Sequence, residues 1–198
     1  MNTIPATLFF PLTIIAAPDS SKPLLEEIMR SEGFISNLMA VFANSPSVLE
    51  AYRVLEAVWE DGSFPPRERQ FILLAASVEN HCKYCIAAHS TVLKNKLRTP
   101  GEIVSAIRSN RHISDAKIDA LVTLVRELVR ERGHARQETI QKFIAAGYRH
   151  QQVMELLIGI ALKTISNYLE HICQVEERLA LTHHHDVETL YRCRPGGH

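Results

Sequence analysis

PPRERQFILLAASVENHCKYCIAAHSTVLKNKL, residues 65–97, decides the fold. Pro65-Pro66 suits the opening of a helix, because the fixed proline φ is helical and its missing N–H costs nothing in the first turn. Phe71, Leu74, Ala75 and Val78 then recur at intervals of three and four, the period of a helix with one buried face. Glu79 to His81 reads as a short break. Helix resumes through Cys82 to about Leu97.

The same period extends outward. Lys22 to Ser31 reads as a short amphipathic helix stopping at Gly33. Ser45 and Pro46 open a helix running to Glu60, which Asp61-Gly62 ends. Thr99-Pro100-Gly101 reads as a turn. Ser114 is the expected N-cap of a long helix whose stripe is Ile118, Leu121, Val122, Val125, Leu128 and Val129, ended by Gly133. Gln137 to Ala146 is closed by Gly147. Gln151 to Leu181 is one long apolar pattern with Gly159 and Ser166 as expected weak points. No long segment alternates apolar and polar residues, so the expected class is all-α.

Composition agrees. The 198 residues are 46% hydrophobic and 22% charged, which excludes general disorder. Eight glycines and nine prolines are few for this length, against helix breakers totalling ~12% in average proteins. Twenty-two basic residues balance twenty-two acidic ones, so no electrostatic footprint for nucleic acid or an anionic membrane is expected. Residues 1–20 read as an N-terminal arm, 21–182 as the helical domain and 183–198 as a polar tail. The apolar run Leu8 to Ala17 is broken by Pro11 and is shorter than the ~20 residues a membrane span needs. It reads as a buried or subunit-covering segment. Without a basic start before it, a cytoplasmic protein is expected.

The chemistry concentrates in Cys82-Lys83-Tyr84-Cys85-Ile86-Ala87-Ala88-His89. On a helix, Cys82 and Cys85 (i, i+3) and Cys85 and His89 (i, i+4) share one face. A thiol attacks as its thiolate, which a helix N-terminus favours and a nearby imidazole promotes by taking the proton. Cys85 is within reach of His89. A sulfenic acid formed on Cys85 by attack on an O–O bond would be condensed by Cys82 to a disulfide, and an external dithiol would reset the pair. Two other readings stand at this point. A C-x-x-C is half a zinc site, with His89 a third ligand and the fourth unassigned; or the cysteines are simple core residues. Of the remaining cysteines, Cys173 reads as buried and inert, and Cys193 as a free thiol in the tail. His183-His184-His185 reads as an incidental run.

The segment Val78 to Ser90 resembles the signature of the alkylhydroperoxidase D-like group of the carboxymuconolactone decarboxylase superfamily. Gly33-Phe34-Ile35-Ser36-Asn37-Leu38, Asn44-Ser45-Pro46, Leu49-Glu50-Ala51-Tyr52, Arg67-Glu68-Arg69-Gln70 and Lys163-Thr164-Ile165-Ser166-Asn167-Tyr168 with His171 resemble further segments of that group. The resemblance implies an all-helical fold assembled as trimers or hexamers and thiol-dependent reduction of hydroperoxides. It implies Cys85 as the peroxidatic cysteine, Cys82 as the resolving one and His89 as the family histidine. It implies a dithiol reductant, such as a lipoylated or thioredoxin-like protein; no metal or other cofactor is expected. The decarboxylases of the superfamily lack the cysteine pair.

One position departs from the pattern. The group's proton-relay glutamate stands twelve residues before the first cysteine, where this chain has Gln70. An amide neither takes nor gives a proton at neutral pH. Glu68 is about 200° around the helix from Gln70 and should face away. Glu79, beside the cysteine helix, is the expected replacement, or else a local cap or salt-bridge partner. Tyr84, His81, Asn167 and His171 are supporting candidates, with His81 adjacent to Cys82 and Asn167 one turn from His171. The alternatives to peroxidase turnover are a disulfide reductase or redox-sensing thiol protein, and a non-catalytic zinc-binding oligomer.

Overall fold

The computed structural model describes residues 9–173, and among them every regular element is helical. The helices are α1 (Lys22–Glu32), α2 (Asn37–Phe42), α3 (Pro46–Glu60), α4 (Pro66–Glu79), α5 (Lys83–Thr91), α6 (Gly101–Arg108), α7 (Ala116–Arg130), α8 (Gln137–Ala145) and α9 (His150–Cys173). A π-helical turn, Val92–Lys96, continues α5. The described residues fall into two compact units, 9–55 with 169–173, and Glu56–Tyr168. The tail from His183 onward, with Cys193, lies outside the described residues.

In the first unit, Gly33 ends α1 in the left-handed conformation (φ 82°), which costs a residue without Cβ nothing. The Ser36 side chain caps α2 by accepting the Met39 N–H. Phe42 and Tyr52 meet at 4.6 Å between ring centres. The N-terminal segment is pinned by the Leu12 N–H donating to the Ala40 carbonyl and by Asn44 Nδ2 donating to the Phe10 carbonyl. Its side chains are less covered than their apolar character predicts. Ala17 is buried, but Phe9, Phe10 and Ile15 are exposed, Ile15 at 89%.

The second unit is built around α4. All eight residues Phe71 to Val78 are buried, because α5, α6 and α7 pack on this one helix. An aromatic cluster closes one end, with Phe143 stacked on Tyr148 at 4.3 Å and Phe64 6.0 Å from both Tyr148 and Trp59.

Three sequence expectations change here. The turn at 99–101 is the start of a helix, α6: Pro100 is its N-cap and Gly101 its first residue, so the breaker signal marks an entry rather than a loop. The cap of α7 is Asp115, not Ser114; its carboxylate accepts the Lys117 and Ile118 N–H groups. Gly159 and Ser166 do not weaken α9, which runs unbroken through both. Ser166 Oγ is satisfied by donating to the Leu162 carbonyl, and Gly159 is a packing notch. A Cβ there would lie 2.9 Å from Trp59 Cη2 and 3.1 Å from Ile72 Cγ2.

Glu127 joins α7 to α8. It accepts the Arg136 N–H at 2.7 Å, the Arg136 guanidinium at 3.0 and 3.2 Å, and the Thr139 hydroxyl at 2.6 Å. The side-chain hydrogen bonds of Arg136 and Thr139 lower its pKa to about 2. A depressed carboxyl contributes stability above its unfolded value, near 4.5, and loses it as pH falls toward about 2. Acid unfolding should therefore steepen through that window, and Glu127→Gln should flatten it, read by circular dichroism against pH.

Candidate active site

The turn from α4 to α5 places the cysteines. Asn80 closes α4, His81 takes a left-handed conformation (φ 59°), and Cys82 is extended, so the chain reverses within three residues. The Cys82 N–H donates to the Ser77 carbonyl at 3.1 Å. Cys82 is the N-cap of α5, and its Sγ accepts the Cys85 N–H at 3.4 Å. The sequence break over Glu79 to His81 is thus the device that points a sulfur at a helix N-terminus. Both cysteines are buried, Cys82 at 0% and Cys85 at 3% exposed, and stand as thiols.

His89 lies one turn beyond Cys85 and is buried, at 6% exposed. Its Nδ1 is 2.9 Å from Gln70 Oε1 on α4, and its Nε2 is 2.9 Å from Lys163 Nζ on α9. Burial, and after it the charge of Lys163, hold the imidazole well below its ordinary pKa. The residue at the expected glutamate position therefore does touch the histidine, as an amide.

Glu79 is placed elsewhere. Both of its carboxylate oxygens accept from the Arg130 guanidinium of α7, at 2.9 to 3.2 Å. Glu68 faces away from Gln70, as its angle around the helix predicts, and pairs with Lys117 at 3.1 Å. Asn167 is buried on α9 and accepts from Asn80 Nδ2 at 3.0 Å, so it anchors the turn that carries Cys82. Its own Nδ2 lies 3.5 Å from the Ser77 hydroxyl. His81 is exposed in that turn, Tyr84 is half-buried in the first turn of α5, and His171 is exposed near the end of α9.

Lys163 lies in a segment that carries the resemblance, but the sequence reading gave it no role at the site. The signal lay in periodicity: it falls on the stripe of Leu156, Gly159, Ser166 and Asn167, the buried face of α9, where a lysine is out of place.

A helical core presenting a capped C-x-x-C pair with a buried histidine one turn on defines a class of helical thiol proteins. A sequence model described as the carboxymuconolactone decarboxylase family matches residues 46–127. The AhpD core structure of an uncharacterized peroxidase-related protein from Ralstonia eutropha JMP134 is similar, with TM-score 0.71 and 19% identity over 85% of this chain and 90% of that one. A peroxidase-related protein from Silicibacter sp. TM1040 gives TM-score 0.69 and 14% identity, covering 87% and 94%. The debrominase Bmp8, in complex with 2,3,4-tribromopyrrole, gives TM-score 0.68 and 18% identity, covering 88% and 91%. No functionally curated protein is significantly similar in sequence. The chain thus carries a segment similar to the carboxymuconolactone decarboxylase family and has the AhpD-like helical fold of these structures. No described helix is long and apolar enough to cross a membrane.

Proposed function

We propose that the protein is a thiol-dependent peroxidase. The observation that carries the reading is the capped pair, with Cys82 Sγ at the N-terminus of α5 and Cys85 in its first turn. The Cys85 thiolate attacks the O–O bond of a hydroperoxide. An S–O bond forms, the O–O bond breaks, and the alkoxide leaves with a solvent proton as the alcohol. Cys82 then attacks the sulfenic sulfur. The S–S bond forms, and hydroxide leaves with the Cys82 proton as water. A dithiol, of the lipoylated or thioredoxin-like kind, returns the pair to thiols by exchange. Two thiols and one hydroperoxide thus give one disulfide, one alcohol and one water, with no metal or other cofactor.

Thiol titration tests this. One equivalent of hydroperoxide should consume two thiols per chain, and added dithiol should restore them. Thiols that stay unreactive until a chelator is added would replace the peroxidase with a zinc protein. One round of oxidation that dithiol does not turn into catalysis would leave a redox sensor. The fold shared with a debrominase supports a second electrophile for the same thiolate, a bromine on an electron-rich ring. Two thiols and one aryl bromide would give a disulfide, the debrominated ring and HBr, and a bromopyrrole in place of the peroxide distinguishes the two.

The same reading includes self-association as a trimer or hexamer in the cytoplasm. The exposed Phe9, Phe10 and Ile15 suit a surface covered by a second copy. Deletion of residues 1–17 should lower the mass measured by light scattering, and an unchanged mass would remove the segment from the interface.

A further inference from the structure

We propose that Lys163 is a positioning residue: its ammonium fixes His89 in the Nδ1-protonated form with the Nε2 lone pair occupied, so His89 orients the site and does not take the Cys85 proton.

The argument is a count of donors and acceptors. An ammonium has three N–H donors and no lone pair, so at the 2.9 Å contact Nε2 must accept. A neutral ring accepting at Nε2 carries its proton on Nδ1, and Nδ1 then donates to Gln70 Oε1, also at 2.9 Å. Both ring nitrogens are used. A glutamate at position 70 would have stabilised an imidazolium; the amide does not. The charged group facing His89 from α9 is Lys163, while α4 offers it the uncharged Gln70. Every contact thus favours the neutral ring. Burial of the ring, at 6% exposed, keeps water from competing for either nitrogen.

The consequence separates this site from a proton-abstracting one. The Cys85 proton then goes to a base other than His89. What the protein supplies is the buried positive charge of Lys163 on His89, and the proposal is that this charge favours the Cys85 thiolate over the thiol. The opposite network has a neutral Lys163 amine accepting from Nε2–H and a reversed Gln70 amide donating to Nδ1. It fits the same distances and would leave the site without that charge.

The full-length protein, 15N-labelled at histidine, distinguishes the two by two-bond proton–nitrogen correlation. The Nδ1-protonated pattern is expected for His89, unchanged between about pH 5 and pH 8, where an ordinary imidazole titrates. Lys163→Met should release Nε2 and change that pattern, while Lys163→Arg, which keeps a cationic donor, should return it. An Nε2-protonated ring in the wild type, or titration within that range, overturns the proposal without any variant having to fold. So does a Lys163→Met spectrum identical to wild type.

A kinetic readout rests on the thiol reading above. Alkylation of Cys85 at neutral pH should slow by roughly tenfold in Lys163→Met, the equivalent of one pKa unit of lost thiolate, and recover in Lys163→Arg. An undiminished rate overturns the electrostatic role. If peroxide fails to oxidise the pair while the histidine pattern holds, the peroxidase assignment falls and the role of Lys163 stands.

Discussion

Cys85→Ser is expected to abolish oxidation of the pair by hydroperoxide, and Cys82→Ser to stop it one step later. A serine hydroxyl in place of the Cys85 thiol offers no thiolate, so no S–O bond forms and Cys82 is left unreacted. Thiol loss per chain should fall from two to none. In Cys82→Ser the attacking sulfur is intact but nothing condenses with its sulfenic acid, so a sulfenic-specific trap should label one site per chain. Cys82, not Cys85, has its sulfur at the helix N-terminus, where it accepts the Cys85 N–H. That favours a thiolate on Cys82. Sulfenic acid in Cys85→Ser and none in Cys82→Ser would exchange the two roles while keeping the chemistry.

Gly159→Val should cost more stability than its exposed equivalent by a wide margin. A first carbon alone would sit 2.9 Å from Trp59 Cη2 and 3.1 Å from Ile72 Cγ2. Ile72 is fully buried and Trp59 is 4% exposed beside Phe64, so neither retreats cheaply. Alanine would recover about 1 kcal/mol of helix propensity against this clash. Valine adds two more carbons and the χ1 restriction of a branched side chain. A loss of about 3 kcal/mol is expected, or roughly 6–12 °C in Tm for a chain of this size, measured by calorimetry. The effect should reach the site. Gly159 stands one turn before Lys163, and the helix it seats against, α4, carries Gln70. Wedging α9 away from α4 should therefore also disturb the His89 nitrogen pattern. An unchanged Tm would show that Trp59 has room to move.

Much of this was legible in the chain. The 3-and-4 spacing across residues 66–79, the breaker cluster before Cys82 and the glycines at 33, 133 and 147 mark helices and ends that the structure repeats, because these signals are local. The α6 helix was not legible, since Thr99-Pro100-Gly101 carries the same residues whether a chain turns away or enters a helix. Asp115 took the cap from Ser114 because either oxygen can cap and only the backbone entry angle chooses. Gly159 looked like a weak point because glycine weakens an isolated helix; Trp59 and Ile72 make it a requirement.

The division is clearest around the histidine. The sequence by itself determined that Cys85 and His89 share one face of a helix that starts beside Cys82, because four-residue spacing on a helix leaves no other arrangement. The resemblance added that an amide, Gln70, stands where the group carries a glutamate. Only the tertiary structure decided what those groups meet. Glu79 is taken by Arg130, 51 residues away, and His89 by Lys163, 74 residues away. A helix dictates the face a side chain occupies, whereas the partner across that face is set by how distant helices pack, and no local pattern encodes it.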